Sequence, residues 1–395
     1  MGVSWSLAVR VGKVVLWGVA VTTVGWMLSL INPLVAGGQT TFVLSGEVLS
    51  GQAPVVLGGE EKPSASPAGQ KQPPTSDQTA PNQPSSSQHK VLRAGMIGLT
   101  TSHVIAFTNL INDPKATGTM AQVEVVAGFP GGIQDNPASW NRRPKFTEEL
   151  RQKGIRIYES IPEMLQDVDV VLLTEVDGRP HLEWARPVIE ARKPLFIDKP
   201  LAANLADCIE ILQLAKEKGV PCFSSSSLRF GWGLEEIRAG KSRFGKVKKC
   251  IAWSPMTLEP HHPDLYWYGI HGVEILFTIM GTGCQTVTRE GQEKVVGVWK
   301  DGRVGIFEAQ KGFGAFVEGD KESGEVGTYP GPKGLLEEMC KFFLTGQPPV
   351  SMEETLEIYT FMSAADESKA LGGKPVSMQE VYQKALREVQ ARRKK

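Results

Sequence analysis

Apolar residues change their spacing along this 395-residue chain, and the changes predict its organisation. From Val14 to Ala36 they form one uncharged run of about 23 residues. At roughly 1.5 Å per helical residue, that run is long enough to span a bilayer. Between Pro63 and Gln88 the chain turns to Pro, Ser and Gln, with no aromatic residue. Such a stretch cannot bury enough surface to offset its conformational entropy, so residues 37–89 are predicted to be a disordered linker.

From Val91 onward, short apolar blocks alternate with amphipathic stretches. Strands are predicted at Val91–Gly98, Val123–Ala127, Ile155–Tyr158, Val168–Leu173, Pro194–Ile197 and Val220–Ser224. Helices are predicted between them at Ser102–Asn112, Thr147–Lys153, Ile161–Gln166, His181–Ala191 and Leu205–Lys218. The unbroken Val168–Leu173 run fits a parallel strand covered on both faces. The alternation implies right-handed crossovers and an α/β Rossmann doubly wound parallel sheet over residues 90–228.

After about Gly245 the pattern changes. Val247–Trp253, Val295–Trp299, Val304–Ala309 and Phe313–Val317 read as strands, and Asp301-Gly302 marks a hairpin turn. One helix, Leu265–Met280, interrupts them, and helices at Gly334–Leu344, Met352–Leu371 and Met378–Arg392 close the chain. This implies an α+β domain with an open, mostly antiparallel sheet over residues 229–395.

Charge and cysteine content narrow the function. Lys plus Arg number 43 and Asp plus Glu number 43, so the basic footprint of a nucleic-acid binder is missing. The five cysteines are scattered, with no CxxC pair. A zinc site or disulfide framework is therefore not expected.

Arg10 and Lys13 precede the first apolar run, and Leu34-Val35-Ala36 resembles a small-residue cleavage site. Residues 1–36 are accordingly expected to be a signal peptide or a membrane anchor, exporting the body or tethering it through residues 14–36. A start further downstream would instead leave the protein cytoplasmic. No twin-arginine pair precedes the first apolar run.

The chemistry begins at Gly95-Met96-Ile97-Gly98-Leu99-Thr100-Thr101-Ser102-His103, between the first strand and first helix. A dinucleotide-binding domain seats its pyrophosphate here, on amides at a helix N-terminus. Of the usual GxGxxG only Gly98 remains in place, and Thr100 occupies the second glycine position. Gly98, Thr100, Thr101, Ser102 and His103 are the candidate phosphate contacts. The second strand ends in Ala127-Gly128-Phe129-Pro130-Gly131-Gly132, without the acid that grips an NAD ribose. Arg142 and Arg143 follow and suit a 2′-phosphate, so the cofactor is NADP or NAD.

A buried strand then ends in Asp198-Lys199-Pro200-Leu201-Ala202. With Thr174-Glu175-Val176-Asp177-Gly178-Arg179-Pro180-His181 before it and Tyr268-Gly269-Ile270-His271-Gly272-Val273-Glu274 after it, this stretch resembles the Gfo/Idh/MocA family of NAD(P)-dependent oxidoreductases. The chain departs from the family pattern in having Asp198 for a Glu and Trp267 for an Asp.

The resemblance implies hydride transfer between nicotinamide and a hydroxyl of a sugar- or cyclitol-like substrate. His271 would be the general base and Lys199 would stabilise charge on the same oxygen. Asp177, His181, Asp198 and Lys199 would border the cofactor. His261, His262, Tyr268 and Glu274 would border the substrate. The two loop histidines lack a standard metal-ligand spacing, and no metal is expected. The resemblance also implies a homo-oligomer formed through the C-terminal sheet. The degraded glycine turn keeps open a non-catalytic carbohydrate- or nucleotide-binding protein on the same fold.

Overall fold

The computed structural model describes residues 34–36, 39–41 and 91–394. The first two segments pair antiparallel as a short hairpin, Leu34–Ala36 with Gln39–Thr41. The rest of the expected anchor or export segment, and the linker apart from Gln39–Thr41, lie outside the described residues. Among the described residues no helix is long and apolar enough to cross a membrane.

Residues 92–225 build a six-stranded parallel sheet. Its strands are β1 (Leu92–Ile97), β2 (Val123–Phe129), β3 (Arg156–Ile157), β4 (Val170–Leu173), β5 (Leu195–Asp198) and β6 (Cys222–Ser225). They lie in the order β3-β2-β1-β4-β5-β6. The order reverses at β1, which opens a crevice at the carboxyl ends of the strands beside it. The intervening helices are α1 (His103–Ile111), α2 (Pro137–Trp140), α3 (Arg143–Gln152), α4 (Ile161–Asp167), α5 (His181–Glu190) and α6 (Leu205–Lys218).

Local signals set these boundaries. Ser160 caps α4 by accepting from the Glu163 amide, and Asn204 caps α6 by accepting from the Asp207 amide at 2.9 Å. Gly219, in the left-handed region, ends α6.

Apart from the two-residue β3, the strands of this sheet serve two cores. Val171 and Leu173 of β4 join Leu195 and Ile197 on one face. Val170 and Leu172 join Phe196, Met96 and Phe223 on the other. That division explains why β4 is apolar at every position.

The second half holds α7 (Leu234–Arg238) and a seven-stranded mixed sheet. Its strands are β7 (Val247–Ser254), β8 (Cys284–Glu290), β9 (Lys294–Trp299), β10 (Val304–Ala309), β11 (Gly314–Gly319), β12 (Ser323–Val326) and β13 (Val376–Ser377). They are ordered β12-β11-β7-β10-β9-β8-β13, and only the β7–β10 pair is parallel.

The helix expected from Leu265 starts as a π-helical turn, Leu265–Gly269, and continues as α8 (Ile270–Met280), which is buried along its whole length. Strands β8, β12 and β13 were not foreseen, because β8 and β12 are rich in polar residues and β13 spans two residues. The closing helices are α9 (Lys333–Thr345), α10 (Met352–Ala370) and α11 (Met378–Arg393). Helix α9 returns to the parallel sheet, where Leu336, Met339 and Phe342 pack with Met96, Phe196 and Phe223.

Candidate active site

The turn after β1 is shaped by Gly98. Its φ is +84°, and a Cβ there would lie 2.5 Å from the Glu175 Cβ and 2.6 Å from the Glu175 backbone. Only glycine tolerates both the angle and the approach. The Gly98 and Leu99 amides donate to the carbonyls of Phe129 and Pro130 at 2.9 and 2.8 Å.

Thr100 is fully buried, so its side chain does not line the crevice. Its hydroxyl donates to Glu175 Oε1 at 2.9 Å and accepts from the Val176 amide at 3.0 Å. The amides of Thr100, Thr101 and Ser102 find no protein acceptor among the described residues. They precede α1 and give it the free donors a diphosphate needs. The turn therefore fits a dinucleotide despite the lost glycine, with Thr100 tucked beneath it. Sequence reasoning missed Glu175, whose buried carboxyl also accepts from the Gly132 amide at 3.0 Å. Burial pushes that carboxyl up.

The end of β5 brings several expected residues together. His103 Nδ1 pairs with Asp198 Oδ2 across the crevice, and His103 stacks on Phe107. Burial opposes ionisation of Asp198, but the charges of His103 and Lys199 hold its carboxyl below the usual range. Lys199 follows, joined to Pro200 by a cis peptide bond. Burial lowers its ammonium pKa, Asp198 opposes that shift, and Arg142 adds to it. Lys199 Nζ lies 5.6 Å from the centre of the Tyr268 ring.

His271 meets Tyr268 edge-on at 5.1 Å and Phe313 at 5.6 Å. Ser226 Oγ lies 2.7 Å from its Nδ1. Burial, then the nearby charges of Lys199 and His103, hold the imidazole well below its ordinary value, so it is neutral. Gly272 lets α8 settle deeply enough to place it, since a Cβ there would come within 2.7 Å of Phe307. Phe313 and Ser226 were not foreseen. Ser226 had a positional signal, because it directly follows a parallel strand whose carboxyl end faces the crevice.

The other expected residues are held by protein partners. Asp177 is fully buried, held by Arg179 and by Asn136 Nδ2 at 2.8 Å. Burial pushes its carboxyl up, but these donors hold it at about 2. His181 is fully buried, with Nδ1 3.1 Å from the Leu201 carbonyl and Nε2 3.0 Å from that of Glu175. Burial lowers the ring to about 4, so it is neutral and its single N–H satisfies one of the two carbonyls.

His262 Nε2 accepts from the Gly178 amide at 3.0 Å, and its Nδ1 lies 2.6 Å from Glu259. His261 faces Glu259 at 2.8 Å. Glu274 is buried, accepting from Arg229 Nε at 2.6 Å and Ser225 Oγ at 2.9 Å. Arg229 also pairs with Glu354 at 2.6 Å. No cluster of three His, Cys, Asp or Glu among the described residues could hold a metal.

Known proteins resemble parts of this chain. Residues 136–226 match the model of an oxidoreductase family with an NAD-binding Rossmann fold, Gfo/Idh/MocA. The uncharacterized oxidoreductase YhhX of Escherichia coli K12 is 28% identical over 142 residues, covering 32% of this chain and 40% of that protein. Inositol 2-dehydrogenase 3 of Saccharopolyspora erythraea is 25% identical over 162 residues, covering 38% of this chain and 48% of its own. The chain thus spans less than half the length of these two relatives.

A structure of scyllo-inositol dehydrogenase from Lactobacillus casei, with bound cofactor NAD(H) and scyllo-inositol, shares the fold. The TM-score is 0.57 at 13% identity, over 73% of this chain and 100% of that one. Residues 136–226 are thus similar to the Gfo/Idh/MocA oxidoreductase family, and the parallel sheet with its crevice at the switch point belongs to the fold these structures share.

Proposed function

We propose that the protein is a nicotinamide-dependent dehydrogenase that exchanges a hydride with a CH–OH carbon of a cyclitol- or sugar-like substrate. The observation that carries this reading is the grouping of the neutral His271 imidazole and the Lys199 ammonium around Tyr268, at the mouth of the dinucleotide crevice.

The amides of Thr100, Thr101 and Ser102 would hold the diphosphate, with Asp198 and Lys199 at the nicotinamide end. When bound, the nicotinamide ring gives or receives the hydride. The His271 tautomer with its proton on Nδ1, donated to Ser226, leaves the Nε2 lone pair free to take the substrate hydroxyl proton. Lys199 donates to that same oxygen and stabilises the charge it gains. Tyr268 and Phe313 offer flat apolar faces to the carbon ring. The Lactobacillus casei structure, which holds scyllo-inositol, a cyclitol, supports this substrate class. Subunit pairing through the second sheet belongs to the same reading, with Val298 and Phe316 exposed on that sheet.

The test is calorimetric titration of the full chain with NAD+, NADH, NADP+ and NADPH, followed by turnover with a panel of inositols and hexoses. Binding tighter than about millimolar to at least one cofactor, with oxidation of at least one polyol, is expected. Failure to bind all four would end the reading.

A further inference from the structure

A domain that selects NAD places an acid at the end of its second strand to accept from the ribose 2′-hydroxyl. Here β2 runs out into Pro130-Gly131-Gly132. A pocket of about 520 Å³ opens at this point, lined by Phe129, Pro130, Gly131, Arg143, Arg151 and Tyr158.

Arg143 is half-buried and held in place. Its Nη1 donates to the Gly131 carbonyl at 3.0 Å, and its guanidinium carbon sits 3.8 Å from the centre of the Trp140 ring. Its side chain crosses directly over Gly132, where an added Cβ would meet Arg143 Cδ at 2.8 Å. Among the described residues Arg143 makes no ion pair, whereas its neighbour Arg151 is paired with Glu148 at 2.5 Å. The other acid of the pocket, Glu159, is exposed. Of the two guanidinium groups lining the pocket, that of Arg143 is therefore the one that no carboxylate pairs with among the described residues, and both acids of the pocket are exposed.

We propose that Arg143 receives the 2′-phosphate of an adenosine ribose, so that the protein selects NADP(H) over NAD(H). A planar guanidinium matches a phosphate with paired, charge-assisted hydrogen bonds. No Asp or Glu stands in Pro130-Gly131-Gly132 to accept from a bare 2′-hydroxyl. This inference rests on the dehydrogenase reading for the presence of a dinucleotide, but not for the reaction.

Calorimetric titration of the full chain with NADPH, NADH, 2′,5′-ADP and 5′-ADP tests it. The two 2′-phosphorylated compounds are expected to bind at least about tenfold more tightly than their partners. Arg143→Ala should erase that preference while leaving NADH affinity in place, which also shows that the variant folds. Pro130→Asp, which restores an acid at the strand end, should reverse the preference. NADH binding as tightly as NADPH, or Arg143→Ala weakening both equally, would overturn the proposal and spare the dehydrogenase reading. Binding of none of the four would sink both.

Discussion

Nδ1 of His103 lies 2.5 Å from Oδ2 of Asp198, joining the start of α1 to the end of β5 across the crevice. Because Asp198 titrates below its ordinary value in the fold, its ionised form stabilises the protein above an unfolded pKa of about 3.9. That contribution is lost as pH falls through the lower folded value. Thermal unfolding of wild type and Asp198→Asn should therefore differ at pH 5–7, and the gap should narrow below about pH 4. A gap that widens with acid would contradict the pairing.

His271 is held well below its ordinary value, so as a base it stays deprotonated, and competent, well into acid. The profile of kcat/KM is expected to show no acid limb near pH 6.5. A limb centred there would mean that another group titrates or that the site is wetter than its burial implies. His271→Asn should abolish turnover with the fold retained. Ser226→Ala, which frees Nδ1, should lower kcat by about tenfold with KM little changed, the mark of a positioning group.

Arg229 is fully buried and shared between Glu274 and Glu354. Removing one carboxylate from such a pair leaves charge uncompensated in the interior. Glu274→Ala is expected to lose about 3–5 kcal/mol in urea unfolding, while the folded fraction keeps its cofactor affinity. Normal stability together with a raised KM would instead make Glu274 a substrate contact.

Gly98 meets the Glu175 backbone at a positive φ. Gly98→Ala should cost about 1–3 kcal/mol of strain and weaken dinucleotide binding in calorimetry far more than Gly118→Ala, which has open space around it. Equal affinities in the two variants would show that the turn is not the diphosphate seat.

The α/β half is legible in sequence because its strands are buried on both faces and read as continuous apolar blocks, β4 above all. Strand β8, Cys-Gln-Thr-Val-Thr-Arg-Glu, hides its nature, since its wet face is polar and even its buried Arg289 is charged. In the site, Lys199 and His271 are legible from motifs that stay local in the chain. What holds the surrounding residues is not. Glu274 meets Arg229 from 45 positions away, and His181 reaches the Leu201 carbonyl from 20. No local pattern reports which carbonyl or cation a folded loop will present. Thr100 stands where the motif has a glycine, and only its burial beside Glu175 shows that its side chain leaves the crevice clear.

Helix α9 lays Phe342 edge-on against Phe223 of β6 with ring centres 4.7 Å apart, although it is made long after the sixth parallel strand. A nascent chain ending at Ser225 has every strand of the nucleotide-binding sheet but lacks the cover for Met96, Phe196 and Phe223 on one side. The amino-terminal half is thus not a detachable module. Its maturation waits for the far end of the polypeptide, and chains cut between the halves should aggregate through that bare apolar face.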